Sequence, residues 1–255
     1  MYGMPDEIEV RAEGPLRIVT LNRPSKYNAV NDPLHAGLAR LWPQLSADRE
    51  VRAVVLTGAG KAFSAGGDLD YLAELGQDAE LRAKTIADGR EIVLGMARCR
   101  VPVVAAVNGP AVGLGCSLVA LSDVVYMGEG TYLADPHVQV GLVAADGGPL
   151  TWPLQISLLH AKEFAFFGER IPAERARELG LANHVVADPL AEALACAKRL
   201  VEQPQKAVEA TKRLLNIHLE RAVLASLDYA MSAEEMTFQS DDFRANIARM
   251  TAGKS

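Results

Sequence analysis

Lys61-Ala62-Phe63-Ser64-Ala65-Gly66-Gly67-Asp68-Leu69 is the stretch on which the fold reading turns. It follows a short apolar strand, Ala53-Val54-Val55-Leu56-Thr57, closed by Gly58-Ala59-Gly60, and it opens onto a helix. Small residues let backbone approach a ligand closely. N–H groups at such a strand-to-helix turn point outward and suit an anionic oxygen. Taken alone, the segment serves equally well as a surface loop whose glycines only make the turn.

Two further segments share this character. Val107-Asn108-Gly109-Pro110-Ala111-Val112-Gly113-Leu114-Gly115-Cys116-Ser117 again runs strand, glycine-rich turn, apolar helix, with the helix N-terminus as a second source of N–H donors. Tight helix–sheet packing would explain its glycines as well. Asp135-Pro136-His137 through Gly141 to Asp146-Gly147-Gly148 sets a His and an Asp nine residues apart around a glycine turn. A histidine moves protons near neutral pH and a carboxylate can orient it. Simple capping, with Asp146 as an N-cap, is the alternative.

Outward from these segments, strand and helix alternate. Leu16–Leu21 is a β-branched run, Asn31-Asp32-Pro33 starts a helix to about Leu45, Ala79–Ala97 is a second helix, and Val103–Val107 and Val124–Met127 are strands. Fully apolar strands imply cover on both faces. A short helix from Pro172 stops at Gly180, Asn183–Val186 is a small strand, and helical blocks fill the rest from Pro189, with breaks expected at Gln203-Pro204, near Asn216 and near Ser240.

Together the segments are specific. With Leu21-Asn22-Arg23-Pro24-Ser25-Lys26-Tyr27-Asn28-Ala29 and Ser122-Asp123, they resemble the enoyl-CoA hydratase/isomerase (crotonase) superfamily from about Leu16 to the C-terminal helices. The resemblance implies an α/β fold, a crotonase-type ββα superhelix over residues 1–190 with a helical C-terminal trimerisation region over 191–255. It implies a homotrimer or dimer of trimers and an acyl-CoA substrate, with coenzyme A as part of the substrate and no separate cofactor. Carried over residue by residue, it puts the oxyanion-hole donors at Gly67 and Leu114 and the CoA contacts near Lys26, Ser64, Ala65 and Gly66. The two glutamates that activate water in hydratases of the family would fall on Ser117 and His137, so both carboxylates are absent. His137 and Asp146, with Trp152-Pro153 beyond them, are similar instead to the 6-oxocamphor hydrolase branch, which cleaves a carbon–carbon bond in a diketone. The catalytic set expected is thus His137, Asp146, Gly67 and Leu114. The C-terminal Phe243–Met250 departs from the tail that covers CoA in many members.

Three activities follow as expectations: an acyl-CoA lyase or isomerase working through an enolate, a hydrolase of a β-diketone or β-keto thioester, and a CoA-binding scaffold without catalysis. Tyr71, Leu72 and Trp152 suggest an apolar acyl pocket, which Phe164, Phe166 and Phe167 could share with the core. Asp68 reads as a helix cap, Asp123 as a tie between helix and strand, and Glu234-Glu235 and Asp241-Asp242 as solvated helix faces.

Composition narrows the alternatives. A net charge of −6 leaves no basic surplus for a nucleic-acid partner, although Arg23, Lys26 and Lys61 could form a local phosphate site. The 49% of apolar residues suffices for a large core. Val101–Ser122 carries no charge over a membrane-like length, but Pro102, Asn108-Gly109-Pro110, Gly113 and Gly115 break it. Cys99, Cys116 and Cys196 show neither disulfide nor metal spacing, so a reducing, cytoplasmic setting is expected, with no metal. The first residues lack the basic and apolar regions of a secretory signal.

Overall fold

The computed structural model describes residues 2–252. Along the chain it contains β1 (Ile8–Glu13), β2 (Leu16–Leu21), α1 (Asp32–Ala47), β3 (Ala53–Gly58), α2 (Leu69–Leu75), α3 (Ala79–Arg98), β4 (Val103–Val107), β5 (Ala111–Val112) and α4 (Leu114–Ala120). Then follow β6 (Val124–Gly128), β7 (Tyr132–Ala134), α5 (His137–Val140), α6 (Gly148–Gln155), α7 (Leu158–Phe167), β8 (Ile171–Pro172), α8 (Ala173–Leu179) and β9 (His184–Val186). Three helices close the chain: α9 (Pro189–Glu202), α10 (Gln205–Thr237) and α11 (Asp241–Ala252).

The main sheet has the order β1-β2-β3-β4-β6-β9, antiparallel only between β1 and β2. A small sheet, β5-β7-β8, stands beside it. Side chains alternate across a strand, so the wholly buried strands divide their residues between two cores. Val54 and Leu56 of β3 and Val103, Ala105 and Val107 of β4 join the large core with α1, α3 and α4. Ala53 and Val55, and Val104 and Ala106, face the other way onto Ala193 and Ala197 of α9. The small side chains on α9 let it lie close to the sheet.

The strands and helices expected from the sequence form, with some differences. The sequence reading gives neither β1 nor the short strands β5, β7 and β8, although Ile8-Glu9-Val10-Arg11-Ala12 alternates as a strand should. No break occurs near Asn216: α10 runs through it, because the Asn216 amide donates to Ala97 O on α3 (2.8 Å) rather than competing for its own backbone. The boundary at 190/191 falls inside α9, which packs on β2, β3, β4, β6 and β9. α10 packs on α3 and α6, and α11 on α2 and α5, so the last three helices are part of the same packed body. The Lys212–Asp123 ion pair (2.6 Å) fastens α10 to the sheet, with the Asp123 carboxylate also accepting from Val103 N (2.7 Å). This is the tie expected of Asp123. Among the described residues no helix is long and apolar enough to cross a membrane.

Candidate functional site

The loop before α2 and the loop before α4 are joined side by side. Ser64 pairs with Ala111 in a parallel bridge, Val112 N donates to Ser64 O (2.9 Å), and Ser64 N donates to Pro110 O (3.1 Å). A Cβ on Gly115 would stand 2.7 Å from Ser64 Cβ, so glycine is required for this approach. Val30 N donates to Gly66 O and Asp68 N to Val30 O, which leaves Gly67 N between them with no acceptor. Leu114 N, at the first position of α4, likewise has none, while Gly113 N is held by Ala134 O (3.0 Å). Both Gly67 and Leu114 line one cavity of about 150 Å³. Leu114 is buried and Gly67 exposed, and both amides are left available to an acceptor that enters the cavity.

The Leu21–Ala29 segment supports this arrangement. Tyr27 and Asn28 adopt left-handed backbone (φ 51° and 56°). Asn28, fully buried, donates to Ala59 O (2.9 Å) and Ala62 O (2.8 Å) and accepts from Arg23 N (2.8 Å). Ser64 does not open on the cavity: it is buried, its hydroxyl donates to Asn28 O (2.8 Å), and its backbone groups are taken by the bridge. Ala65 and Gly66 do line the cavity, and Ala65 is exposed. Lys26 is an exposed side chain at the end of the turn whose Tyr27 O accepts from Ala65 N (2.9 Å). Arg23 is not a free cation for phosphate, since it pairs with Asp68 (3.1 Å). Asp68 also caps α2 through Asp70 N (3.1 Å), as its place before the helix implied.

His137 and Asp146 line the same cavity, but they are not each other's hydrogen-bond partners. His137 Nδ1 bonds to Asp135 Oδ1, two residues earlier in the chain. The expectation that Asp146 orients His137 is therefore corrected: Asp135 does so. The reason is local. Asp135 follows β7, Pro136 turns the chain, and His137 opens α5 within reach of the preceding carboxylate. Asp146 is fixed instead by Ser117, whose hydroxyl donates to it at 2.8 Å. Gly147 makes this contact possible, because a Cβ there would fall 2.0 Å from Ser117 Oγ.

A third acid completes the cluster. Glu234, on α10, lines the cavity beside His137 and Asp146. It was expected on a solvated face, and the structure overturns that. Leu227, Ala230 and Met231, at seven, four and three residues before it, are buried, so helical spacing puts Glu234 on the apolar face. That spacing was the available signal. Asp241 and Asp242 are exposed as expected.

The charges interact. Burial opposes ionisation of His137, but the charge and hydrogen bond of Asp135, and then the charges of Asp146 and Glu234, outweigh it and raise its pKa to about 10. His137 is thus a cation at neutral pH. Asp146 is raised by burial against the lowering effects of the His137 charge and the Ser117 bond. Glu234, raised by burial and by Asp146, reaches about 8 and so holds a proton at pH 7.

The apolar remainder of the cavity includes Leu69, Leu72, Leu75, Leu142, Phe238 and Met250. Tyr71 and Leu72 lie where the sequence suggested. Trp152 and Phe164 belong to the main core instead, and Phe166 and Phe167 are exposed (60% and 61%). The Phe243 backbone of α11 packs against Gly141, whose left-handed φ of 87° and lack of a Cβ admit it, and Met250 of the same helix lines the cavity.

The sequence pattern of the enoyl-CoA hydratase/isomerase family matches residues 11–252. The chain is 30% identical to 1,2-epoxyphenylacetyl-CoA isomerase of Escherichia coli, over 99% of this chain and 98% of that protein. It is 34% identical to the probable enoyl-CoA hydratase EchA14 of Mycobacterium tuberculosis, over 95% and 96%. Among solved structures, an enoyl-CoA hydratase/isomerase from Mycobacterium paratuberculosis superposes with a TM-score of 0.97 at 73% identity, covering 97% of this chain and all of that one (100%). With a pattern spanning nearly the whole length and such relatives, the chain belongs to the enoyl-CoA hydratase/isomerase family.

Proposed function

We propose that the protein acts on an acyl-CoA thioester by forming an enolate, with the thioester oxygen held between Gly67 N–H and Leu114 N–H. The observation that carries this reading is the pair of acceptor-free amides facing one cavity. Donors fixed in advance cost no reorganisation as charge develops, and one such donor is worth roughly a hundredfold in rate. Asp146 acts as the base that takes the proton from the α-carbon: burial raises its pKa, but the His137 charge and the Ser117 hydroxyl, which donates to it at 2.8 Å, favour its ionised form. Glu234 returns a proton, and the His137 cation, held by Asp135, offsets negative charge as the enolate forms. CoA contacts at Lys26, Ala65 and Gly66 and assembly as a homotrimer or dimer of trimers belong to the same proposal. Exposed Leu158, Leu159, Leu214 and Leu215 supply apolar surface for that assembly.

The test asks for enolate formation without presuming a product. Butyryl-CoA, hexanoyl-CoA and octanoyl-CoA are incubated with enzyme in D2O and read by mass spectrometry. Deuterium should enter at the α-carbon, and Asp146→Asn should suppress the exchange while binding persists. Absence of exchange on every thioester that binds would sink the enolate mechanism.

A second reading is hydrolysis of a carbon–carbon bond in a β-diketone or β-keto thioester, for which the absence of glutamates at Ser117 and His137 speaks. Product analysis separates them, since hydrolysis cleaves the skeleton and isomerisation or hydration conserves it. The non-catalytic scaffold is disfavoured, because the His137 side chain is only 14% exposed and lines the cavity.

A further inference from the structure

The cavity has a second polar end, away from the proton-moving groups. His35 of α1, Tyr71 of α2, and Thr85 and Gly89 of α3 line it. The charges that act on both His35 and Tyr71 are those of Asp88, Lys84 and Asp32, whereas Glu234 responds to Asp146, His137 and Asp135. The two ends therefore sit in separate fields.

His35 is 7% exposed, and its Nδ1 is buried without a hydrogen-bond partner. Burial takes its pKa down to about 4, so at neutral pH the ring is uncharged, one nitrogen carrying hydrogen and the other free to accept. Tyr71 bonds to Thr85 Oγ1 (2.6 Å), and Thr85 spends its own hydrogen on Leu81 O (2.9 Å). Tyr71 must then be the donor to Thr85, which leaves its phenol oxygen as an acceptor. Thr85 and Gly89 are one turn apart on the same face of α3, so His35 beside Gly89 and Tyr71 beside Thr85 share one stretch of wall. Gly89 is interior to a 20-residue helix, where glycine is less favourable than alanine. A Cβ on it would meet only Met231 Cε at 3.8 Å and the His35 ring at 3.9 Å, ordinary contacts, so packing does not demand glycine. Its effect is to leave room against His35.

An apolar acyl chain would leave an unpaired imidazole and phenol oxygen in contact with hydrocarbon, which is costly. We propose that this end is a subsite for a hydroxyl on the acyl part of the substrate, with the His35 ring donating to its oxygen and the Tyr71 phenol oxygen accepting its hydrogen. The enzyme then prefers a hydroxylated acyl group to a plain hydrocarbon one. The proposal rests on the reading that the acyl group of a thioester fills this cavity.

The test compares butyryl, hexanoyl and octanoyl thioesters with their terminally hydroxylated counterparts, on CoA and on N-acetylcysteamine, by isothermal titration calorimetry. In the wild type, at least one hydroxylated member should bind about tenfold tighter than its plain partner. His35→Leu and Tyr71→Phe should each bring the pair within about twofold while plain thioesters still bind, and His35→Gln, which keeps a donor and an acceptor, should retain part of the preference. Equal binding within every pair, or a preference that survives both His35→Leu and Tyr71→Phe, overturns the subsite and leaves the thioester reading standing. A preference on the N-acetylcysteamine series with no binding of any CoA thioester upholds the subsite and overturns the CoA reading.

Discussion

Replacing Glu234 with Gln tests the electrostatics of the site without any substrate. In the folded protein its carboxyl ionises only near pH 8, against an ordinary value of 4.5. The folded state therefore holds this proton more tightly than the unfolded chain does. Its contribution to stability is fully present below pH 4.5 and is lost as pH rises toward 8. A shift of this size corresponds to an upper limit of about 5 kcal/mol above pH 8, at about 1.4 kcal/mol per unit. The residue is half-buried, and water entering the cavity would screen its charge, so about 2 kcal/mol is expected in practice. Glu234→Gln keeps the shape of the protonated acid and abolishes its titration. Urea unfolding at matched protein concentration should thus find variant and wild type within about 0.5 kcal/mol at pH 5, and the variant more stable by about 2 kcal/mol at pH 8.5, with equal m-values. Subtracting the two curves cancels groups that titrate alike in both proteins. A difference independent of pH between 5 and 8.5 would show that Glu234 does not hold a raised pKa, and the assignment of the acid would fall with it.

Other outcomes follow from the same geometry. Leu114→Pro removes the N–H at the first helical position, where proline is well tolerated, and should lower α-proton exchange about a hundredfold, while Leu114→Ala, which keeps the N–H, should cost much less. Asp135→Asn removes the charge that holds the His137 pKa near 10; NMR titration should find the ring titrating well below that, and the stability deficit should be largest near pH 6 and shrink toward pH 10. Gly147→Ala should lower stability by about 3 kcal/mol in thermal or urea unfolding, because its methyl group would collide with Ser117 and break the Ser117–Asp146 bond.

The fold was legible where local signals agree. β3 and β4 are uninterrupted apolar runs, and α1 begins at Asn31-Asp32-Pro33, an N-cap followed by proline. Local signals misled where a side chain's partner lies far away in sequence. Asn216 resembled a helix breaker because its acceptor, Ala97 O, is 119 residues distant. The division near residue 190 follows a change to helical composition, and it falls within α9, which lies against strands from both halves of the sheet.

The donors and the acids of the site differ in legibility for a physical reason. Backbone donors need glycine-rich turns at strand ends, and these turns leave an imprint on sequence, which the family resemblance resolves to Gly67 and Leu114. Proton positions have no such imprint. Whether Glu234 is a solvated anion or a buried acid depends on Asp146 and His137, which meet it only in three dimensions. The partner of His137 is the carboxylate two residues away, Asp135, and not Asp146 across the glycine turn. Asp146 remained within the field of His137 without touching it, and Ser117 became its direct partner. The replacement of a hydratase glutamate by Ser117 is thus more than the loss of a carboxylate. It provides the hydrogen bond that fixes Asp146, while Glu234, on a different helix, is the carboxyl whose pKa rises to about 8. Gly67 and Leu114 bear on which atom would be stabilised, and Asp135, His137, Asp146 and Glu234 on which proton would move, so the reaction must be read from the second set.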